Sequence, residues 1–297
     1  MDETADLIRQ IRKIELRTKI LTSGLQAGLH HSLFKGQGIE FAEIREYVPG
    51  DDVRSIDWKV TARYNRPFIK EYTEERDQTF YFLIDISGSG SFGSGMTKQR
   101  KMLEVVASLA FAALRNNDRV GICLFSDKVE KFVPAKKGRK HVVTILNALI
   151  SHKAASKKTD LAVAVKFLAT VLSRKSSVII LSDFVSEDFM RSLKILKRKH
   201  EVMAIRITDP REHELPDIGY IELEDPETGE QILVNTSDRG FRERYQELVD
   251  KSYGKLSEDL ARTGIGIVPL ATDEPYDLPL KQFFTGQKRR RSHAWIL

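Results

Sequence analysis

From residue 79 onward the sequence predicts an α/β fold, a mostly parallel sheet flanked by helices. Three observations carry that expectation. Short apolar runs and longer amphipathic runs alternate from Thr79 to Pro269, the pattern of right-handed crossovers that cover both faces of a parallel sheet. Two of the apolar runs, Thr79–Ile84 and Ser177–Ser182, lead directly into a carboxylate, Asp85 and Asp183, as strands ending at a ligand-binding edge do. The third is size: 297 residues, 41% hydrophobic and 30% charged, suffice for one large globular domain with a smaller appendage.

The elements follow in order. Leu7, Ile8, Ile11, Ile14, Leu16, Ile20 and Leu21 fall at mostly helical spacing. Residues 30–78 change character: Gly36-Gln37-Gly38, Pro49-Gly50-Asp51-Asp52 and Asn65-Arg66-Pro67 are turn chemistry between short strand-like pieces such as Ile44–Val48. The chain therefore divides into an N-terminal helix with a small β/loop region (1–78) and an α/β domain (79–297). In the latter, helices are expected at Lys98–Arg115, Arg139–Ile150, Asp160–Leu172, Glu187–Lys199 and Arg239–Thr263. Strands are expected at 79–84, Arg119–Phe125, Lys128–Val133, Ser177–Ser182, Val202–Ile207 and Gly266–Pro269. The second and third of these form a hairpin around Ser126-Asp127. Another hairpin, Tyr220–Leu223 with Gln231–Val234, is inserted near 220–235.

Composition excludes several classes. No apolar run approaches the length that spans a bilayer, and the N-terminus lacks a secretory apolar region. One cysteine, Cys123, lies within a strand-like apolar run, where it reads as a buried small hydrophobe, and no intrachain disulfide is possible. A cytoplasmic protein is the expectation. The excess of 48 basic over 42 acidic residues is concentrated in Lys136–Lys140, Arg198-Lys199 and Lys288–Arg291. Without interleaved aromatic residues these runs read as solvated surface, not as a nucleic-acid groove.

Strand ends of a parallel sheet share one edge, so Asp85, Ser87, Ser89, Thr159 and Asp183 can converge there. All five offer oxygen, the donor set of a hard cation such as Mg²⁺ or Mn²⁺. Gly88–Gly93 also fits GxGxxG, but no acidic residue follows at the distance a ribose requires. Gly90–Thr97 nearly fits a phosphate-binding loop, with Met96 where its lysine belongs and Lys98 two residues late. A phosphohydrolase of the haloacid dehalogenase type needs an acid/base two residues after its nucleophilic Asp; Ser87 stands there, and no lysine or histidine stands out as a partner. The seven histidines form no metal-spaced pair.

Asp85-Ile86-Ser87-Gly88-Ser89, then Thr159, then Asp183 after an apolar strand resemble the metal-ion-dependent adhesion site of von Willebrand factor type A domains. By that resemblance the three hydroxyls touch the metal directly, and the two carboxylates do so directly or through water. Neutral hydroxyls leave the cation under-neutralised and open to a partner's carboxylate. The N-terminal region sharpens the likeness. Gly36–Phe41, Arg45–Asp52, Ile56–Lys59, Thr61-Ala62-Arg63, Pro67–Tyr72 and Glu75-Arg76-Asp77 closely resemble the bacterial family known as domain of unknown function 58. That resemblance implies a von Willebrand factor A-like domain and a protein partner, a MoxR-type AAA+ ATPase. The implied role is a non-enzymatic, Mg²⁺-dependent adaptor or co-chaperone. A metal-dependent phosphohydrolase using Asp85 and Asp183 is the alternative. Two departures stand out: Gly90 follows the second serine where a larger residue is common, and Phe184 replaces the glycine usual after the last Asp.

Overall fold

A computed structural model describes residues 40–73, 78–91, 96–224 and 229–283. The expected helix at 7–25 and the basic tail lie outside them. The described residues fall into two compact units that meet in sequence between Gln78 and Thr79.

In the smaller unit, β1 (Glu40–Glu46) pairs antiparallel with β2 (Phe68–Thr73), with an irregularity between Phe41 and Glu43. Between them come a 3-10 turn, Val53–Ser55, and a short helix, α1 (Trp58–Tyr64). The sequence reading leaves 58–64 without a helix. It forms because Asp57 caps it, accepting from the amides of Lys59 and Val60, and Asn65 ends it at φ 54°. Asp52 caps the 3-10 turn in the same way. Asp51 instead takes both guanidinium arms of Arg45, at 2.7 and 2.9 Å. That bond, with the Val48 amide, holds its pKa down at about 2.

The larger unit is built on six strands: β3 (Thr79–Asp85), β4 (Arg119–Phe125), β5 (Val129–Lys136), β6 (Ser177–Ser182), β7 (Glu201–Thr208) and β10 (Gly266–Ala271), in the order β10-β7-β6-β3-β4-β5. All neighbours are parallel except β4 and β5, the expected hairpin. The chain leaves β3 toward β4 on one side and returns through β6 on the other, so β3 and β6 flank the switch point where such sheets bind ligands.

Side-chain alternation along β3 sorts the two faces. Tyr81 and Leu83 join Cys123, Phe125, Val178 and Ile180 against α4 (Leu161–Val171) and α5 (Phe189–Lys199). Phe80, Phe82 and Ile84 are equally buried on the other face, where Leu109 and Ala113 of α2 (Lys98–Arg115) lie over Phe80, Phe82 and Ile179. Next to α2 packs α3 (Arg139–Ser151). A four-residue helix, α6 (Pro210–His213), absent from the sequence reading, follows β7 behind a capping box of Asp209 and Glu212. The inserted hairpin forms as β8 (Tyr220–Glu224) and β9 (Gln231–Asn235), ahead of the long α7 (Arg239–Arg262). Cys123 is fully buried, as expected.

One close approach holds the β4–β5 edge. A Cβ on Gly121 would lie 2.5 Å from the Tyr81 ring and 2.9 Å from the Ala135 amide. The ring crosses β4 at this point, its hydroxyl accepts from Ala135 N–H at 3.2 Å, and it stacks on Phe132. Gly121→Ala should therefore cost about 3 kcal/mol in urea unfolding. Tyr81→Phe, which removes only the hydroxyl, should cost about 1 kcal/mol. Equal effects would mean that the hydrogen bond, not the space over Gly121, organises this edge.

Candidate metal centre

The site begins with register. Ile84 of β3 lies opposite Leu181 of β6, so Asp85 and Ser182 are next in line at the carboxyl edge, and Asp183 follows. Asp85 is 2% exposed. Its Oδ1 accepts from the Ser87 amide at 3.0 Å, and its Oδ2 accepts from Ser182 Oγ at 2.8 Å. The same Ser182 hydroxyl accepts from Phe184 N–H at 2.9 Å, so one buried serine ties the two acidic strand ends together.

Ser87 is buried and Ser89 half-buried, their hydroxyls 3.2 Å apart. Thr159 sits in the loop before α4, and three neighbouring strand-end loops stitch that loop in place. Gly88 N–H donates to the Lys157 carbonyl at 2.9 Å, between the two serines. Asp160 N–H donates to Ser126 at the end of β4, and Leu161 N–H to Ser186 Oγ beyond β6. Glu130 anchors the loop's other end, bonding Ser126 Oγ, His152 Nε2 and the Ala155 amide. Burial opposes its charge, yet these bonds outweigh it and keep the Glu130 pKa below its ordinary value.

Asp183 is also buried. Its Oδ1 accepts from the Val185 amide at 3.1 Å, and Lys98, the first residue of α2, donates to its Oδ2 at 3.0 Å. Lys98 is itself 1% exposed and pairs with Glu212 of α6 as well. Burial opposes a charged ammonium, but the two carboxylates outweigh it and raise the Lys98 pKa. The residue after Asp183, Phe184, adopts φ 61°, a left-handed backbone that explains why glycine is usual there. A non-glycine residue in that region costs of order 1 kcal/mol. The ring, 6% exposed and 6.0 Å from Phe189, offsets that by burial.

The five oxygen-bearing residues thus stand at one edge, joined by adjacent strands and cross-bonded loops. Ser182, Lys98 and Glu212 are additions. A serine closing an otherwise apolar buried run is a signal for Ser182. Lys98 enters the sequence reading only as a misplaced phosphate-loop lysine, and nothing local marks Glu212. Among the described residues no three His, Cys, Asp or Glu side chains gather as a metal cluster, so hydroxyls must supply part of any coordination here. The donor set fits a hard cation on one further observation: Thr159 Oγ1 is buried with no hydrogen-bond partner, a situation that costs about 1–3 kcal/mol unless another ligand satisfies it. Beside the site lies a cavity of about 280 Å³, lined by Asp85, Thr97, Arg100, Met102 and His152 among others.

Burial first, and then the like charge of Asp183, push the Asp85 pKa from 3.8 up to about 6; the bonds from Ser87 and Ser182 pull the other way without cancelling it. Because the folded pKa is raised, the native state binds the proton more tightly than the unfolded chain. Stability relative to Asp85→Asn should then fall by about 3 kcal/mol in all as pH rises from below about 4 to above about 6. Urea titrations of both proteins in chelator would measure this; a gap that stays constant or widens in the opposite sense would contradict the burial of a charged Asp85.

Comparison with known proteins adds the following. The family model described as protein of unknown function DUF58 matches residues 43–254. The uncharacterized protein Rv1480 of Mycobacterium tuberculosis is 31% identical over 287 residues, 95% of this chain and 90% of that one. Among solved structures, the conserved hypothetical protein BatB from Bacteroides thetaiotaomicron aligns with a TM-score of 0.49 at 14% identity, covering 71% of this chain and 99% of that one. The SpRpn10 VWA domain aligns with a TM-score of 0.39 at 10% identity, covering 71% and 95%.

Proposed function

The chain belongs to the DUF58 family, and on that premise we propose that it is a divalent-cation-dependent protein-interaction module. Asp85, Ser87, Ser89, Thr159 and Asp183 would hold Mg²⁺ or Mn²⁺, and the partner would be a MoxR-type AAA+ ATPase for which this protein acts as adaptor or co-chaperone. We place it in the cytoplasm; among the described residues no helix is long and apolar enough to cross a membrane. The observation that carries the reading is the buried, partnerless Thr159 hydroxyl, in a loop that main-chain bonds tie to the turn after Asp85. A bound cation would supply a Lewis-acidic position open to a partner's carboxylate. The chain's own work is to present the hydroxyls from rigid strand ends, to exclude water from Asp85 and Asp183, and to hold the loop of Thr159 through main-chain bonds.

A phosphohydrolase using Asp85 and Asp183 gains a cationic neighbour in Lys98. It still lacks an acid/base where Ser87 stands. Both oxygens of Asp85 are engaged by protein donors, which suits a structural anchor better than a nucleophile.

Thr159→Val separates metal binding from folding. In chelator it should leave stability unchanged or raise it by about 1 kcal/mol, because it removes a buried hydroxyl without a partner. It should also weaken Mn²⁺ binding at least tenfold by calorimetry and abolish Mg²⁺-dependent retention of the purified cognate ATPase on immobilised protein. Retention that survives both EDTA and this substitution would locate the binding surface elsewhere.

A further inference from the structure

Lys98 is out of place by ordinary rules. Lysine is almost never fully buried unless paired, and the first turn of a helix disfavours a cation. Yet Lys98 opens α2 with its side chain 1% exposed, between Asp183 at 3.0 Å and Glu212. Nothing in the packing of α2 calls for an ammonium there, since the helix buries its core face through Met102, Val105, Val106 and Leu109.

The carboxylates explain it. Asp183 is close enough to raise the proton affinity of Asp85, and Glu212 adds a third negative charge within reach of the ammonium that Asp183 holds. Among the described residues Arg206 adds a positive charge bonded to Asp183, its Nε donating to the Asp183 carbonyl at 3.3 Å. Three carboxylates against Lys98 and Arg206 leave the cluster one charge negative. A divalent ion would turn it one charge positive, and would stand beside an ammonium that already holds Asp183 Oδ2.

We propose that Lys98 is the resident counter-cation of this site: it neutralises Asp183 when no divalent ion is bound, competes with that ion for Asp183, and is held by Glu212 when the ion takes Asp183. Lys98 is a positioning and affinity-setting residue, not a ligand, and its role rests on the five-oxygen metal reading above. The device keeps metal affinity low in the isolated protein. It also leaves the loaded site with a net positive charge, matched to an acidic partner side chain.

The test is the sign of two affinity changes, read with Mn²⁺ by calorimetry and by electron paramagnetic resonance, on full-length protein with folding checked by circular dichroism. Lys98→Met removes the competitor and should bind Mn²⁺ at least tenfold more tightly than wild type. Glu212→Gln keeps the bond to the Asp209 amide but releases the ammonium wholly onto Asp183, so it should bind several-fold more weakly. A merely structural role would weaken binding in both variants, and that outcome would overturn the proposal. If Lys98→Met fails to fold, Lys98→Gln, which keeps a hydrogen-bond donor to Asp183 but not the charge, takes its place and should also bind Mn²⁺ at least tenfold more tightly; weaker binding would overturn the proposal. Should wild type bind Mn²⁺ in a Ser87-dependent way while Lys98→Met binds no more tightly, the counter-cation falls and the metal reading stands. Were no protein, Lys98→Met included, to bind Mn²⁺ at millimolar concentration, both would fall together.

Discussion

Two carboxylates buried side by side, Asp85 at the end of β3 and Asp183 just beyond β6, are the constraint on which the rest of this structure depends. Like charges out of water repel, and each must be met by donors that do not move. The chain meets them with the Ser87 and Val185 amides, the Ser182 hydroxyl and the Lys98 ammonium. Every one of these comes from the turn just past a strand, from the last residue of a strand, or from the opening of a helix. The parallel register of β3 with β6 is what brings those points within a hydrogen bond of one another.

That constraint also orders the surroundings. Because Lys98 is committed to Asp183 and Glu212, the start of α2 is pinned to the segment after β7. Lys101, one turn on, is buried too and donates to the Thr272 and Glu274 carbonyls beyond β10. Two lysines of one helix thus fasten the carboxyl edge across β6, β7 and β10. Hydrophobic burial on the two sheet faces supplies the bulk of the stability, but the polar fastening sets where the strand ends lie.

Much of this was legible in the sequence. The start of α2 is visible because Thr97 caps it, and β3 and β6 are visible as buried, mostly apolar runs, one ending in a carboxylate and the other followed by one. The five oxygen-bearing residues were readable as a set because strand-end position in a parallel sheet is a topological property, independent of detailed packing. What escaped was of two kinds. The helices at 58–64 and 210–213 are too short for periodicity to register and exist through their caps. Lys98 and Glu212 are meaningful only in three dimensions, since Lys98 lies 85 residues from Asp183 and 114 from Glu212, along routes that no local pattern encodes. Phe184 was legible as a departure from glycine, and its φ of 61° gives that departure a physical content.

The loop that carries Thr159 is fastened on its inner side by the main chain, Gly88 to Lys157 and Asp160 to Ser126. Such bonds are indifferent to the side chains at those positions, proline excepted. Its outer side exposes Lys153, Lys157 and Lys158. Geometry and surface charge are therefore written by different atoms of the same few residues. Descendants of this chain can reverse the charge displayed beside the site, and so change what approaches it, while the oxygens within keep their places.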